Sequence, residues 1–339
     1  MVALTAPLIS PAPSGTRWIR VEDGSAVVAC RNAAQSLASQ LSFPAARADG
    51  LALAVTEAAS NLHKHAQQGA LLVRAAPAAL AQPGIEVITI DSGPGVRDVP
   101  AAQRDGQSTA GTLGIGLGAI RRLADFSDMF SVPGVCTALV ARFSAGPAAP
   151  PGSCAGLLRP ISGEVECGDA FTVCGTDGQL TAVMCDGLGH GPLAAAAARE
   201  AIDTVLADRS GDPAAILRRV HERLGRTRGG AVAIASVTGR AVRFAGLGNV
   251  AAWILSEGSR SGMLSVPGIA GHQARTIRQF DYELPAGAVI VLHSDGLSSR
   301  WDYRAMPGLT ARDPLTIAAV LLAAAGVHRD DAGILVLRP

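Results

Sequence analysis

At four places in the C-terminal half an acid stands beside glycine, or beside another acid, where an apolar run begins or ends: Gly168-Asp169, Asp186-Gly187, Asp295-Gly296 and Asp330-Asp331 ahead of Ala332-Gly333. The most informative stretch is Val183-Met184-Cys185-Asp186-Gly187-Leu188-Gly189-His190-Gly191. A strand-like run delivers a carboxylate to a tight glycine turn, and Pro192 opens an alanine-rich helix. Acids placed repeatedly at strand ends are expected to converge on one site. Carboxylates with no histidine or thiol complement suit hard divalent cations, Mg²⁺ or Mn²⁺, rather than Zn²⁺. Two such ions sharing a carboxylate acidify a bridging water and clamp a phosphoryl oxygen, which is hydrolysis without a protein nucleophile. His190 reads as a loop-packing or solvent-facing residue more readily than as a general acid, and Arg159 is a weaker candidate for a substrate phosphate.

A second constellation lies upstream. Glu57 and Asn61 are four residues apart on a helical pattern and so project from one face, one turn from each other. A carboxamide oxygen there can coordinate a hard cation while the carboxylate accepts a proton from a hydroxyl or water. The alternating run Gly84–Ile90 then delivers Asp91 to Ser92-Gly93-Pro94-Gly95, an acid beside glycines that suits a flat heterocycle bearing an exocyclic amine. Finally, Gly111-Thr112-Leu113-Gly114-Ile115-Gly116-Leu117-Gly118 runs into a helix from Ala119 to Asp125, where backbone N–H groups and the helix dipole favour an anion. Each glycine cluster is weak alone, but the three in this order are not. Lys64 and His65 follow on a similar face and read as solvated positions.

The elements that must hold these residues can be traced by period and punctuation. Trp18–Val21 reads as a strand, Ser25–Leu41 as a helix, and Pro44 opens a second helix to about Ala66 with Leu51, Val55, Ala58 and Leu62 as its buried stripe. Ala70–Ala76 and Gly84–Ile90 read as strands. Residues 1–15 form a Pro/Ser/Ala-rich leader expected to be flexible, and small residues from Ser144 to Ser153 mark a linker, taken as 144–157. Beyond it, a hairpin turn at Thr176-Asp177-Gly178-Gln179 precedes Asp186. Helices are expected over Leu193–Asp208, Pro213–Leu224 and Leu315–Ala325, and strands over Gly230–Val237, Val242–Ala245, Ala251–Leu255 and Ala288–Leu292. The fold class is α/β (α+β) in two domains: 16–143, helices on a mixed sheet, and 158–339, a sandwich of sheets flanked by helices.

Composition bounds the function. In 339 residues, 48% are hydrophobic and 17% charged, enough for two ordinary cores. A net charge of +1 without long basic runs gives no footprint for nucleic acid or an anionic membrane. Pro7, Pro11 and Pro13 interrupt the first sixteen residues, which lack a basic residue, so no secretory signal is expected and a cytoplasmic location is. Cys30, Cys136, Cys154, Cys167, Cys174 and Cys185 form no CxxC and read as reduced, buried thiols.

Glu57/Asn61, Asp91-x-Gly93-x-Gly95 and Gly114-x-Gly116-x-Gly118 resemble the asparagine box and the two glycine boxes of the GHKL (Bergerat) ATPases. Thr56–Ala66 and Gly116–Asp125 are similar to RsbT-type switch or anti-sigma kinases, over about residues 17–143. The resemblance implies that Asn61 holds the Mg²⁺ of ATP, Glu57 activates a substrate hydroxyl, Asp91 binds the adenine amine, and the Gly114–Gly118 loop closes on the phosphates. The stretch ahead of Glu57 is expected to be too short for a phosphoacceptor hairpin, which speaks against a sensor histidine kinase. From about residue 158 onward, the acid–glycine pattern resembles the PPM-type phosphatases of the SpoIIE/RsbX branch, an αββα sandwich. That resemblance implies two Mn²⁺ or Mg²⁺ ions bridged by Asp186 with the Gly187 carbonyl assisting, and Asp169, Asp295 and Asp330 completing the shells directly or through water, with Asp331 as the competing neighbour of Asp330. Ala332-Gly333 stands where that branch usually has Met-Thr. Together the resemblances imply a bifunctional partner-switching enzyme, kinase and phosphatase, acting on a STAS-domain antagonist or scaffold, with a sigma factor as a further partner. Two other readings use the same N-terminal residues: a module that sequesters a sigma factor or antagonist, and a nucleotide sensor for the phosphatase.

Overall fold

The computed structural model describes residues 8–9, 18–77, 83–102, 116–147, 152–176 and 178–339. Gly114, Asp177 and most of the expected leader lie outside them. The chain forms two compact units, mainly on either side of Gly152.

In the first unit the elements are β1 (Trp18–Arg20), α1 (Gly24–Gln40), α2 (Ala45–His65), β2 (Ala70–Ala75), β3 (Gly84–Asp91), α3 (Val99–Ala102), α4 (Gly116–Leu123), β4 (Phe126–Val132) and β5 (Cys136–Ser144). Asp23 caps α1, its carboxylate accepting from Ser25 N at 2.8 Å and Ala26 N at 3.1 Å. In α2, Leu51, Ala54, Val55, Ala58, Ala59 and Leu62 are buried, the stripe expected of a helix laid on a sheet. They pack with Leu71, Ile85, Val87, Leu139 and Phe143 from the sheet. Each large side chain so removed from water contributes about 2 kcal/mol before conformational entropy is charged against it.

The sheet order is β1-β2-β3-β5-β4, and each described pairing is antiparallel, in place of the mixed sheet expected. The reason is connectivity. Two helices between β1 and β2 return the chain to the end it left, so β2 runs opposite to β1. The crossover through α4 does give β3 and β4 the same sense, but β5 inserts between them.

The second unit is a two-sheet sandwich. Its elements are β6 (Cys154–Arg159), β7 (Asp169–Thr176), β8 (Gln179–Gly187), α5 (Pro192–Ala207), α6 (Pro213–Leu224), β9 (Gly230–Thr238), β10 (Ala241–Leu247), β11 (Ala251–Ser256), β12 (Ser259–Met263), β13 (Ser265–Val266), β14 (Phe280–Glu283), β15 (Val289–His293), α7 (Pro314–Ala325) and β16 (Ala332–Leu337). One sheet runs β13-β10-β9-β8-β7 with β14 on β10; the other runs β12-β11-β15-β16-β6.

Strand alternation sorts the side chains by face. Phe171, Val173, Ala182, Met184, Ala233 and Phe244 fill the space between the sheets, against Ile254, Ile290, Leu292, Leu335 and Leu337. The intervening Val183, Cys185, Val232 and Ile234 pack outward on Ala198, Ile202, Leu217 and Val220 of α5 and α6. Asp169 and Asp186 continue the inward-facing series, so both carboxylates stand at one end of the gap between the sheets.

β6 begins at Cys154 and pairs along β16, within the stretch expected as linker. Leu8 and Ile9, in the expected leader, are also engaged: Ile9 bridges to Val173, Leu8 N donates to Val173 O at 2.8 Å, and Ile9 is buried in the sandwich core. An apolar pair has found the free edge of β7. The six cysteines form no disulfide, and all but Cys167 are buried.

Candidate functional site

The acids of the C-terminal unit do converge. Asp169 of β7 faces Asp186 of β8 in register, and Asp295 follows the end of β15. Gly187 lets the chain close behind Asp186: a Cβ there would collide with the Ala194 carbonyl of α5. Asp169 is buried, with one oxygen accepting from Ser294 Oγ at 2.6 Å and the other, Oδ1, buried with no hydrogen-bond partner. The Asp186 and Asp295 carboxylates meet within hydrogen-bonding contact, and Asp295 also accepts from Asn249 Nδ2.

The electrostatics follow from the crowding. Burial, then the field of Asp186, hold Asp169 well above the ordinary carboxylate range. Burial, with Asp295 and Asp330, pushes Asp186 up to about 7. Burial and Asp330 raise Asp295 as well.

The adjacent acids Asp330 and Asp331 are placed differently. Asp331 is buried and spends its oxygens on backbone, accepting from Ile161 N at 2.7 Å and Gly168 N at 2.9 Å. It fixes the loop leading to Asp169. Asp330 is half-buried, and its charge bears on Asp186 and Asp295.

Ser294 and Asn249 were not singled out from the sequence. Ser294 Oγ accepts from Gly333 N at 2.9 Å while donating to Asp169, and a Cβ on Gly333 would come within 3.0 Å of Asp169. Ala332-Gly333 is thus the pair that lets β16 pass close behind that acid. The adjacent His293 is buried on the outer face, its Nε2 accepting from Trp253 Nε1 at 3.1 Å and its Nδ1 2.8 Å from Ser294 O. Indole N–H only donates, so Nε2 is the acceptor and Nδ1 carries the proton. Of the weaker candidates, His190 is exposed beside Glu164 at 3.1 Å, and Arg159 donates to Val327 O at 3.1 Å.

This donor set fits a hard divalent cation. The converging groups are carboxylates, one buried oxygen of Asp169 lacks a partner, and like charges are crowded enough to hold protons they would otherwise lose. Among the described residues no three His, Cys, Asp or Glu side chains stand together at metal-ligating spacing.

The N-terminal candidates also meet. Gly116, the first residue of α4, abuts both members of the α2 pair: its Cβ position lies 3.5 Å from the Asn61 amide and 3.8 Å from Glu57 Oε2. Asn61 Nδ2 is buried with no partner, so this amide too is free to orient on something else. Gly118 is buried one turn part further on. At the end of β3, Asp91 Oδ1 accepts from Gly93 N at 2.7 Å, and burial raises its pKa against that bond. The turn is tied to the end of α2, with Ser92 N donating to Gln67 O at 2.9 Å. Gly95, at φ +77°, passes Ser131, which accepts from Val96 N at 2.8 Å. Thr137, opposite Asp91 in register and 3.0 Å from Ser131 through their hydroxyls, is a polar wall residue that sequence reading missed.

With both sites described, the chain can be set beside known proteins. The family described as "Histidine kinase-like ATPase domain" matches residues 22–142, and "Stage II sporulation protein E (SpoIIE)" matches residues 176–338. The serine/threonine-protein kinase RsbT of Bacillus subtilis (strain 168) is 32% identical over 115 residues, 34% of this chain and 86% of RsbT. A solved structure described as "The bacterial stressosome: a modular system that has been adapted to control secondary messenger signaling" is 29% identical with a TM-score of 0.50, covering 55% of this chain and 98% of the other. The structure of RsbX in complex with magnesium is 22% identical with a TM-score of 0.48, over 54% and 92%. Among the described residues no helix is long and apolar enough to cross a membrane.

Proposed function

Since the chain belongs to the family of histidine kinase-like ATPases that includes RsbT, and residues 176–338 match SpoIIE, we propose that it is a two-way phosphorylation switch. The N-terminal unit, about 16–143, is an ATP-dependent protein serine/threonine kinase. The C-terminal unit, from β6 to 339, is a metal-dependent phosphoserine/phosphothreonine protein phosphatase. The substrate is a STAS-domain regulator of a bacterial sigma-factor or stressosome-like pathway, met in the cytoplasm. RsbT is named as a serine/threonine kinase, and the 29% identical structure is described as the stressosome; these names support the direction of the proposal.

In the phosphatase, Asp186 would bridge two Mn²⁺ or Mg²⁺ ions with the Gly187 carbonyl beside it. Asp169 Oδ1, Asp295 and Asp330 would complete the ligand set. Asp330 is preferred to Asp331 because Asp331 already accepts two backbone N–H groups. Such ions, when bound, supply an acidified water and a clamp for phosphoryl oxygens. The chain's own part is to hold the acids: Ser294 orients Asp169, Asn249 orients Asp295, and Asp331 orders the approach to Gly168. In the kinase, Asn61 would hold Mg²⁺ with ATP and Glu57 would take the proton of the substrate hydroxyl. Asp91 with Gly93 and Gly95 would receive the adenine, and Gly114, Gly116 and Gly118 would face the phosphates.

The observation that carries this reading is the unpartnered Oδ1 of Asp169 amid converging carboxylates, in a unit separate from the Glu57–Asn61–Gly116 contact. Incubation of purified STAS partners with the chain, ATP and Mn²⁺, followed by mass, tests it. Phosphorylation and its reversal are expected. Reversal without phosphorylation would reduce the N-terminal unit to a nucleotide sensor or binding module.

A further inference from the structure

The β8–β9 register continues past the strand ends. Gly187 faces Gly230, and Leu188 N donates to Gly229 O at 3.0 Å. The next step of that register sets Arg228 across from Gly189, the third residue after Asp186. The side chain follows the backbone there: a Cβ on Gly189 would stand 3.1 Å from Arg228 Nη1. Gly189 also has φ +87°, where L side chains are rarely found, so the ground beneath the guanidinium is bare backbone.

The Arg228 turn is fixed. Thr227 Oγ1 donates to Leu224 O at 2.8 Å and accepts from Gly229 N at 3.0 Å. Gly230 and Ala270 exchange backbone hydrogen bonds at 3.2 and 2.8 Å. On this rigid base Arg228 is exposed, and among the described residues no carboxylate pairs with it.

We propose that Arg228 binds the phosphoryl group of the substrate at the C-terminal site. The inference rests on the phosphatase reading. A dianionic phosphoester must approach Asp169, Asp186, Asp295 and Asp330, and two divalent cations would cancel no more than those four charges, so the ester's own charge still calls for a cationic partner. A planar guanidinium presents several donors in a fork that matches two phosphoryl oxygens. Arg159, the arginine considered from sequence, instead gives an Nη2 donor to Val327 O.

The test uses the full chain loaded with Mn²⁺, titrated with inorganic phosphate by calorimetry and assayed on a phosphoserine peptide. Arg228→Ala is expected to weaken phosphate binding and raise KM in parallel by about tenfold or more, the effect of losing a charge-assisted pair. Mn²⁺ affinity and the melting temperature stay at wild-type values, and Arg228→Lys, which keeps the charge but not the fork, falls between. Unchanged phosphate affinity and KM in Arg228→Ala overturn the proposal. So does a loss of Mn²⁺ affinity of the same size, which would make Arg228 a support for the acids, and so does a wild-type chain that binds no phosphate. The calorimetric arm needs no turnover. Arg228-dependent phosphate binding in a chain without phosphatase activity would sustain the contact and remove the phosphatase reading.

Discussion

The two sites are assembled in opposite ways. In the C-terminal unit, acids at strand ends are pressed together by close backbone: Gly187 against the Ala194 carbonyl, Gly333 against Asp169, and Asp331 tied to two N–H groups. In the N-terminal unit, the chemistry stands on the side of a long helix, and the start of α4 is brought to it at Gly116. The first arrangement concentrates negative charge until protons are retained at pH values where isolated carboxylates have lost them. The second leaves an amide without a protein partner. On the proposed reading, cations are received where like charges are forced together, and a nucleotide where a helix face meets a glycine-started helix.

The strongest way to break this comparison is Asp186→Asn. It removes the proposed bridging charge and is expected to lower phosphate release by on the order of a thousandfold, several kcal/mol of transition-state stabilisation, while ATP binding is unchanged. Asn61→Ala is the reciprocal change. Phosphoryl transfer should fall by roughly a hundredfold or more, with the phosphatase rate kept. Residual transfer at the wild-type rate would detach the Asn61 amide from the reaction.

Ser294→Ala sharpens the comparison at a smaller scale. It takes one hydrogen bond from Asp169 and leaves Gly333 N unpaired, and Mn²⁺ affinity should drop about tenfold to a hundredfold. Calorimetry with Mn²⁺ alone checks this without reference to activity.

Ser294 also shows where sequence reading ended. It immediately precedes the Asp295-Gly296 turn, yet nothing local says that its hydroxyl reaches a strand 125 residues earlier. Asn249 is equally hidden, since only folding brings it to Asp295. What was legible had a local cause. The α2 stripe, the Pro192 helix start and each acid–glycine turn declare themselves by period or punctuation. β6, the docking of Leu8 and Ile9, and the antiparallel first sheet depend on pairing partners far along the chain, whereas β4 and β5 form a local hairpin whose strands carry no clear alternation. Asp330 and Asp331 could not be told apart as letters; their backbone surroundings separate them.

The charge crowding makes a pH prediction. Asp186 is raised to about 7, so the folded, cation-free unit holds a proton across the window from 3.8 to about 7 in which the unfolded chain releases it. Stability of the cation-free C-terminal unit therefore falls as pH rises through that window. A divalent cation competes with the same proton, so the melting-temperature increment given by Mn²⁺ should grow from pH 5 to pH 8, a range spanning about a unit or two either side of that value. A constant increment would argue that the acids are not crowded. The smallest expected effect is that of Trp253→Phe, which removes the donor to His293 and should cost about 1 kcal/mol in denaturant unfolding, with Mn²⁺ affinity changed less than in Ser294→Ala.

The central claim is that opposite chemistries occupy separate sites in one chain, and a mass time course on a STAS substrate with ATP and Mn²⁺ tests it most directly. With Asp186→Asn the phosphorylated substrate should accumulate and persist. With Asn61→Ala it should never form, while substrate phosphorylated beforehand is still cleared. Equal loss of both activities in either folded variant would contradict the account.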